Sequence, residues 1–221
     1  MPSSSQAPRT GPAPTHAVLL PVKPPARGKS RLVGLADEAR TALARAFALD
    51  TAEACLTAGG VGAVLVATDD AFFASEVRRL GCAVIPDGVS GDLNGALVQA
   101  AAEAHRRWPE LVPVALCGDL PALRPADLEE ALASVTPGTA AYVVDAVGTG
   151  TTLYTAAYDG FAPRFGPDSA RLHHEGGALA LDGVLETLRH DVDTLDDLRA
   201  VKAYGLGPRT LLAALQAGVA L

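Results

Sequence analysis

The chain has 221 residues, 49% of them hydrophobic, 19% charged and 5% aromatic, with a formal charge of −7. That is enough apolar material for one large core, and few aromatics with abundant Ala, Val, Leu and Gly suit the packed layers of an α/β fold. The acidic balance excludes a nucleic-acid surface, since phosphate backbones demand a clustered excess of Lys and Arg. A small anion held by a local basic loop stays open.

Residues 1–15 are rich in Ser, Pro and Gly and lack the apolar run of a signal peptide or membrane helix. The expectation is a disordered tail on a cytoplasmic protein with no membrane partner, followed by a single domain over 16–221. Cys55, Cys82 and Cys117 sit in apolar runs too far apart for a CxxC site and read as buried thiols.

Residues 16–20 form a short apolar run closed by Pro21, a first buried strand. Residues 37–58 predict a long helix with Leu43, Phe47 and Ala54 at helical spacing, ended by Gly59 and Gly60. Asp50 falls on the same stripe, where a carboxylate needs a backbone N–H or a cation, so its reading is structural. Strands over 63–68, 82–85 and 112–117 alternate with helices over 70–80, 92–108 and 125–134, the pattern of parallel crossover units. The rhythm then breaks into two strand-like runs, 140–145 and 151–157, joined by a Gly-rich turn and read as a hairpin excursion. A helix start at 169–174, a last strand at 188–192 and a helix over 194–204 capped by Asp193 or Thr194 complete the reading.

The loop after the first strand carries Lys23, Arg27, Lys29 and Arg31, four cations in nine residues. Gly28-Lys29-Ser30 is not a P-loop, because the required first Gly is Lys23 and two prolines delete N–H groups. A side-chain clamp on a triphosphate is the alternative, at the sheet edge where α/β proteins place ligands. Asp119 stands one Gly beyond an apolar strand, with Pro121 fixing the chain after it, which is how a sheet presents a magnesium ligand. Asp191 and Asp193, two residues apart, share a face of the predicted last strand, one for metal and the other for support; Asp196 and Asp197 serve the helix dipole. Asp92, Leu93 and Asn94 in a Gly-flanked loop, and residues 148–152, are pocket material. Residues 166–169 precede a helix, either as an anion site at its free N–H groups or as a plain Ser169 cap. The adjacent pair His173-His174 reads as solvated surface. There is no GxSxG elbow and no HExxH.

Taken in order, KPPARGKSRL, GDLNGAL, GDLPAL, GTGTTL, FGPDSARLH and DVDTLDDL resemble the guanylyltransferases of coenzyme F-420 biosynthesis, relatives of the molybdenum-cofactor guanylyltransferases. The resemblance covers nearly the whole chain beyond the tail. It implies a Rossmann-like nucleotidyltransferase fold with a mostly parallel central sheet and helices on both faces. It also implies transfer of GMP from GTP to phosphoenolpyruvate or 2-phospho-L-lactate with magnesium and release of pyrophosphate. By position, Asp119 and Asp191 would hold the metal, with Asp193 competing for the second place, and Lys23 and Lys29 would grip the triphosphate beside Arg27. Thr151, Gly166 and Ser169 would bind the acceptor acid; Asp92, Leu93 and Asn94 would lie near the nucleotide. Three lysines against fifteen arginines fit the actinobacterial, phosphoenolpyruvate-using branch. Handover of the product to the next transferase is a further expectation. A molybdenum-cofactor guanylyl- or cytidylyltransferase is the alternative, but its LAGGxSxRMGxxK-type first loop is missing; a silent nucleotide-binding protein of this fold would have lost a metal carboxylate, and both are present.

Overall fold

The computed structural model describes residues 15–23, 31–88 and 91–221. Most of the predicted tail, together with Arg27 and Lys29, lies outside the described residues. Among the described residues the strands β1 His16–Pro21, β2 Val61–Ala67, β3 Ala83–Ile85, β4 Val112–Leu116, β5 Ala141–Val144, β6 Thr151–Thr155 and β7 Leu179–Ala180 form one seven-stranded sheet. The helices are α1 Asp37–Thr57, α2 Ala71–Leu80, α3 Leu93–Arg107, α4 Pro125–Ser134, α5 Ser169–Glu175, α6 Glu186–Arg189, α7 Leu195–Val201 and α8 Pro208–Gln216.

The sheet order is β3-β2-β1-β4-β6-β5-β7. The first four strands in that order are parallel, β6 runs antiparallel to both of its neighbours, and β5 and β7 return to parallel pairing with each other. The hairpin expected after 140 is therefore real, and it brings the start of β6 beside the end of β4, where Leu116 opposes Leu153.

Strand alternation explains the two layers. Val18 and Leu20 of β1 with Val64, Val66, Val114 and Leu116 pack under α1, α2, α4 and α6, while Ala17, Leu19, Leu65 and Ala115 face α3 and α5. The near-unbroken apolar character of β1, β2 and β4 is what burial on both faces requires. A third cluster joins Leu43 and Phe47 of α1 to Val192, α7 and α8.

Local chemistry sets the helix ends. Asp70 caps α2 by accepting from the Phe73 amide at 2.9 Å, and Gly81 ends the helix in the left-handed conformation, φ 109°. Asp92 caps α3 through the Gly95 amide at 2.9 Å; a Cβ on Gly95 would lie 2.5 Å from that carboxylate, so a larger residue there would push the cap aside. Thr194 and Asp197 form a reciprocal capping box on α7.

The structure corrects one element and adds two. Residues 188–192 are not a strand: Glu186–Arg189 is a helical turn and the chain from His190 to Asp193 is irregular. The place beside β5 belongs to β7 instead, and the Arg189 guanidinium donates to the carbonyls of Val144 and Leu181 at 3.0 and 3.1 Å, filling that corner with a side chain. Neither β7 nor α8 is anticipated by the sequence reading. Asp50 has the expected structural role: buried on α1, it accepts from the Thr210 amide at 2.7 Å at the start of α8 and from the Arg209 guanidinium at 3.2 Å. No helix among the described residues is long and apolar enough to cross a membrane.

Candidate active site

β1 and β4 are adjacent and parallel, so the segments leaving their C-terminal ends emerge side by side. Lys23 follows β1 by two residues and is exposed; Gly118 and Asp119 follow β4, with Gly118 packed against Val22 closely enough that a Cβ would lie 3.3 Å from its methyl. Between them opens a cavity of about 180 Å³ whose walls include Lys23, Asp87, Asp92, Leu93, Asp119 and Phe165. The first-strand cation, the loop before α3 and the β4 carboxylate thus share one rim.

Asp191 and Asp193 reach the same place by a route the sequence does not show. The Val192 amide donates to the Asp119 carbonyl at 3.0 Å, and Val192 itself is fully buried. One carboxylate oxygen each from Asp119, Asp191 and Asp193 lie within 4.8 Å of one another. All three residues are half-buried. Such an all-oxygen, acidic grouping fits a hard divalent cation. Asp193 also pairs with Arg31 at 2.9 Å, and its amide donates to Asp197, which confirms a helix-terminal job for Asp197.

The predicted acceptor residues gather around α5. Thr151 opens β6 and Ser169 is the first residue of α5; both are buried. Gly166 has φ 129°, backbone open to glycine alone, and its carbonyl accepts from the Ser169 amide at 3.2 Å. The cap of α5 is Asp168, in the left-handed conformation at φ 54° with no side-chain cap bond, so the plain Ser169 cap is ruled out. This group adjoins the cavity, since Cys117 of the cavity wall donates its backbone amide to Thr152 at 2.9 Å and Phe165 precedes Gly166.

Two residues have contacts that the sequence does not disclose. Asn94 clamps the Phe165 backbone from both sides, its amide nitrogen donating to the carbonyl at 3.0 Å and its oxygen accepting from the N–H at 2.8 Å. His173 is 1% exposed, not solvated, while His174 faces outward. The available signal was its place three residues after Ala170, which puts both on the buried side of α5. Asp87 was also missed: burial first, then the Asp69 carboxylate, push its pKa up, and the Lys23 charge opposes them.

The fold and this acidic, cation-flanked rim are those of a nucleotidyltransferase. A Desulfovibrio desulfuricans protein assigned to the nucleotide-diphospho-sugar transferases superposes with a TM-score of 0.68 at 16% identity, over 92% of this chain and 96% of that one. Rv0371c of Mycobacterium tuberculosis, solved in complex with manganese, superposes with a TM-score of 0.51 at 25% identity, over 85% and 98%. The phosphoenolpyruvate guanylyltransferase of Thermomonospora curvata is 48% identical over 89% of this chain and 87% of its own length, and that of Streptomyces scabiei 46% identical over 89% and 94%. No protein-family model matches the chain. The chain belongs to the phosphoenolpyruvate guanylyltransferase family.

Proposed function

We propose that this protein transfers GMP from GTP to phosphoenolpyruvate, releasing pyrophosphate, as a cytoplasmic step of coenzyme F-420 biosynthesis. The observation that carries the reading is Lys23 and Asp119 in the wall of one cavity, with Asp191 and Asp193 grouped on Asp119, in a chain whose relatives bear that enzyme's name.

The chemistry needs little covalent help from the protein. An oxygen of the acceptor's phosphate attacks the α-phosphorus of GTP in line, the bond to the β-phosphate oxygen breaks, and pyrophosphate leaves with that electron pair. No general base is required, because the attacking oxygen is already anionic at neutral pH. The obstacle is repulsion between two polyanions. Lys23, with Arg27 and Lys29 following it in the sequence, supplies positive charge to the triphosphate. Asp119, Asp191 and Asp193 are the residues that would hold a divalent cation, magnesium in this reading, which when bound neutralises phosphate charge.

Thr151, Gly166 and Ser169 receive the acceptor acid, through the Gly166 backbone N–H and the Thr151 and Ser169 hydroxyls, the Ser169 amide being held by the Gly166 carbonyl. Asp92 and Leu93, which line the cavity, border the nucleotide, and Asn94 acts there by holding Phe165 in place. The product is a reactive anhydride, so direct passage to the next transferase fits its chemistry. The test is pyrophosphate release by pure protein given GTP, magnesium and either phosphoenolpyruvate or 2-phospho-L-lactate. Turnover with phosphoenolpyruvate is expected; preference for phospholactate would reassign the acceptor, and silence with both would end the reading.

A further inference from the structure

His173 has no part in the reaction just described, yet its surroundings fix which ring nitrogen bears the proton. Its Nε2 accepts the backbone N–H of Arg164 at 2.9 Å. A backbone amide only donates, so Nε2 is bare. Its Nδ1 lies 3.0 Å from Thr151 Oγ1. The ring stacks on Tyr154 at 4.5 Å between centroids and meets the edge of Phe165 at 5.5 Å. Burial, reinforced by the Arg164 charge and opposed by a hydrogen bond to the Ser169 backbone, pulls its pKa down to about 4. At neutral pH the ring is therefore uncharged with its proton on Nδ1. That proton faces Thr151 Oγ1 at 3.0 Å as well as the Ser169 backbone, and a Thr151 hydroxyl that accepts it keeps its own hydrogen for another acceptor.

The backbone makes room for this contact. Val143 opposes Leu153 but Val144 opposes Thr151, so the register slips and Thr152 is an extra residue in β6. In a regular strand Thr151 and Tyr154, three apart, would point to opposite faces. With the slip, both meet His173. One ring thereby ties the start of β6 to the segment that carries Arg164, Phe165 and Gly166.

We infer that His173 is a positioning residue of the acceptor site, fixing the Thr151 hydroxyl as a hydrogen donor to an anionic oxygen of the phosphorylated acid and holding the Gly166 segment beside it. This rests on Thr151, Gly166 and Ser169 being the acceptor site, as proposed above.

The experiment compares H173Q, whose side-chain oxygen can still take the Arg164 amide but which lacks the Nδ1 donor, with H173N, whose amide nitrogen stands where Nδ1 was. H173Q, which loses the Thr151 contact, and H173N, which loses the Arg164 contact, are each expected to raise KM for phosphoenolpyruvate roughly fivefold to tenfold, the worth of one hydrogen bond, with KM for GTP unchanged. Equal rises for both substrates, or a KM for the acid at the wild-type value in H173Q, would overturn the role. S169A run alongside separates the two levels: if it leaves KM for the acid at the wild-type value, the acceptor-site reading itself fails, and if it raises KM while H173Q does not, only His173 falls. Long-range proton–nitrogen NMR on the wild-type protein at pH 7 needs no variant to fold. It should show His173 neutral and protonated at Nδ1; an Nε2–H or charged ring would overturn the inference.

Discussion

Val192 donates its backbone N–H to the carbonyl of Asp119 across 3.0 Å, and that bond sets the spacing of the acidic cluster. Because Val192 is buried in the cluster with α1, α7 and α8, the residues on either side of it are turned away from that core and toward Asp119. The core thus aims Asp191 and Asp193.

Asp119→Asn keeps the shape and removes one charge from the group of three carboxylates. Turnover in the pyrophosphate assay should fall by roughly a thousandfold, the scale of several kcal/mol of lost charge stabilisation. The melting temperature should move by less than about 2 °C, since the residue is only half-buried. Near-normal turnover with magnesium would remove Asp119 from the mechanism.

The fold and the site differ in how far the sequence discloses them. β1, β2, β4 and α4 are legible because apolar runs end at Pro21, before Asp69 and at Gly118, and Pro125 opens the helix, all local signals. Asp119 is legible for the same reason. Asp191 and Asp193 are found, but on an imagined strand, because an apolar pair such as Leu188 and Val192 does not say whether it is buried by a sheet or by a turn. His173 is hidden by its neighbour His174 and by a register slip in β6 that depends on pairing with β5. α8 is overlooked because its N-terminal partner, Asp50, comes from a distant helix.

Lys23 is the described cation of the cavity wall closest in sequence to β1, and it is exposed. Lys23→Met should raise KM for GTP roughly tenfold, the value of one charge-assisted contact to phosphate, while KM for the acid changes less. The wild-type KM for GTP should also climb with salt more steeply than that of the variant. Equal salt dependence in the two proteins would place Lys23 away from the triphosphate.

Asp50→Ala leaves the Thr210 amide, buried at the start of α8, without its acceptor and strips one partner from Arg209, which keeps Glu53 at 2.6 Å. Loss of a buried charged acceptor of this kind costs about 2–3 kcal/mol, and at this chain length each kcal/mol lowers Tm by about 2–4 °C. A drop of about 4–12 °C in thermal melts is expected, with activity at low temperature retained. An unchanged Tm would mean that α8 is held by its apolar contacts alone.

The three thiols should separate by reactivity. Burial pushes Cys82 up to about 12, and burial with the neighbouring Cys82 pushes Cys55 higher still, so neither offers thiolate at pH 8. Cys117 is half-buried in the cavity wall. Ellman's reagent on the native protein should therefore modify one thiol, and GTP should slow it. Two or three equivalents reacting at the same rate would contradict this packing.

Acid should loosen the fold through His173. Its folded-state pKa is about 4, held down by burial and by the Arg164 charge, against an ordinary value of 6.5. Between those values the unfolded chain binds a proton that the folded chain does not, so this residue's contribution is complete above pH 6.5 and drains away as the pH falls to 4. The two and a half units correspond to at most about 3 kcal/mol. Tyr154, stacked on the ring, has its pKa raised by burial and stays neutral throughout the window. His16, lowered by burial as well, acts in the same direction, so the informative quantity is a difference between proteins. In urea melts, the stability gap between wild type and H173Q should narrow steadily from pH 6.5 to pH 4, because only the wild type loses the contribution; a gap that is constant with pH would mean that His173 is protonated as readily in the folded chain as in the unfolded one.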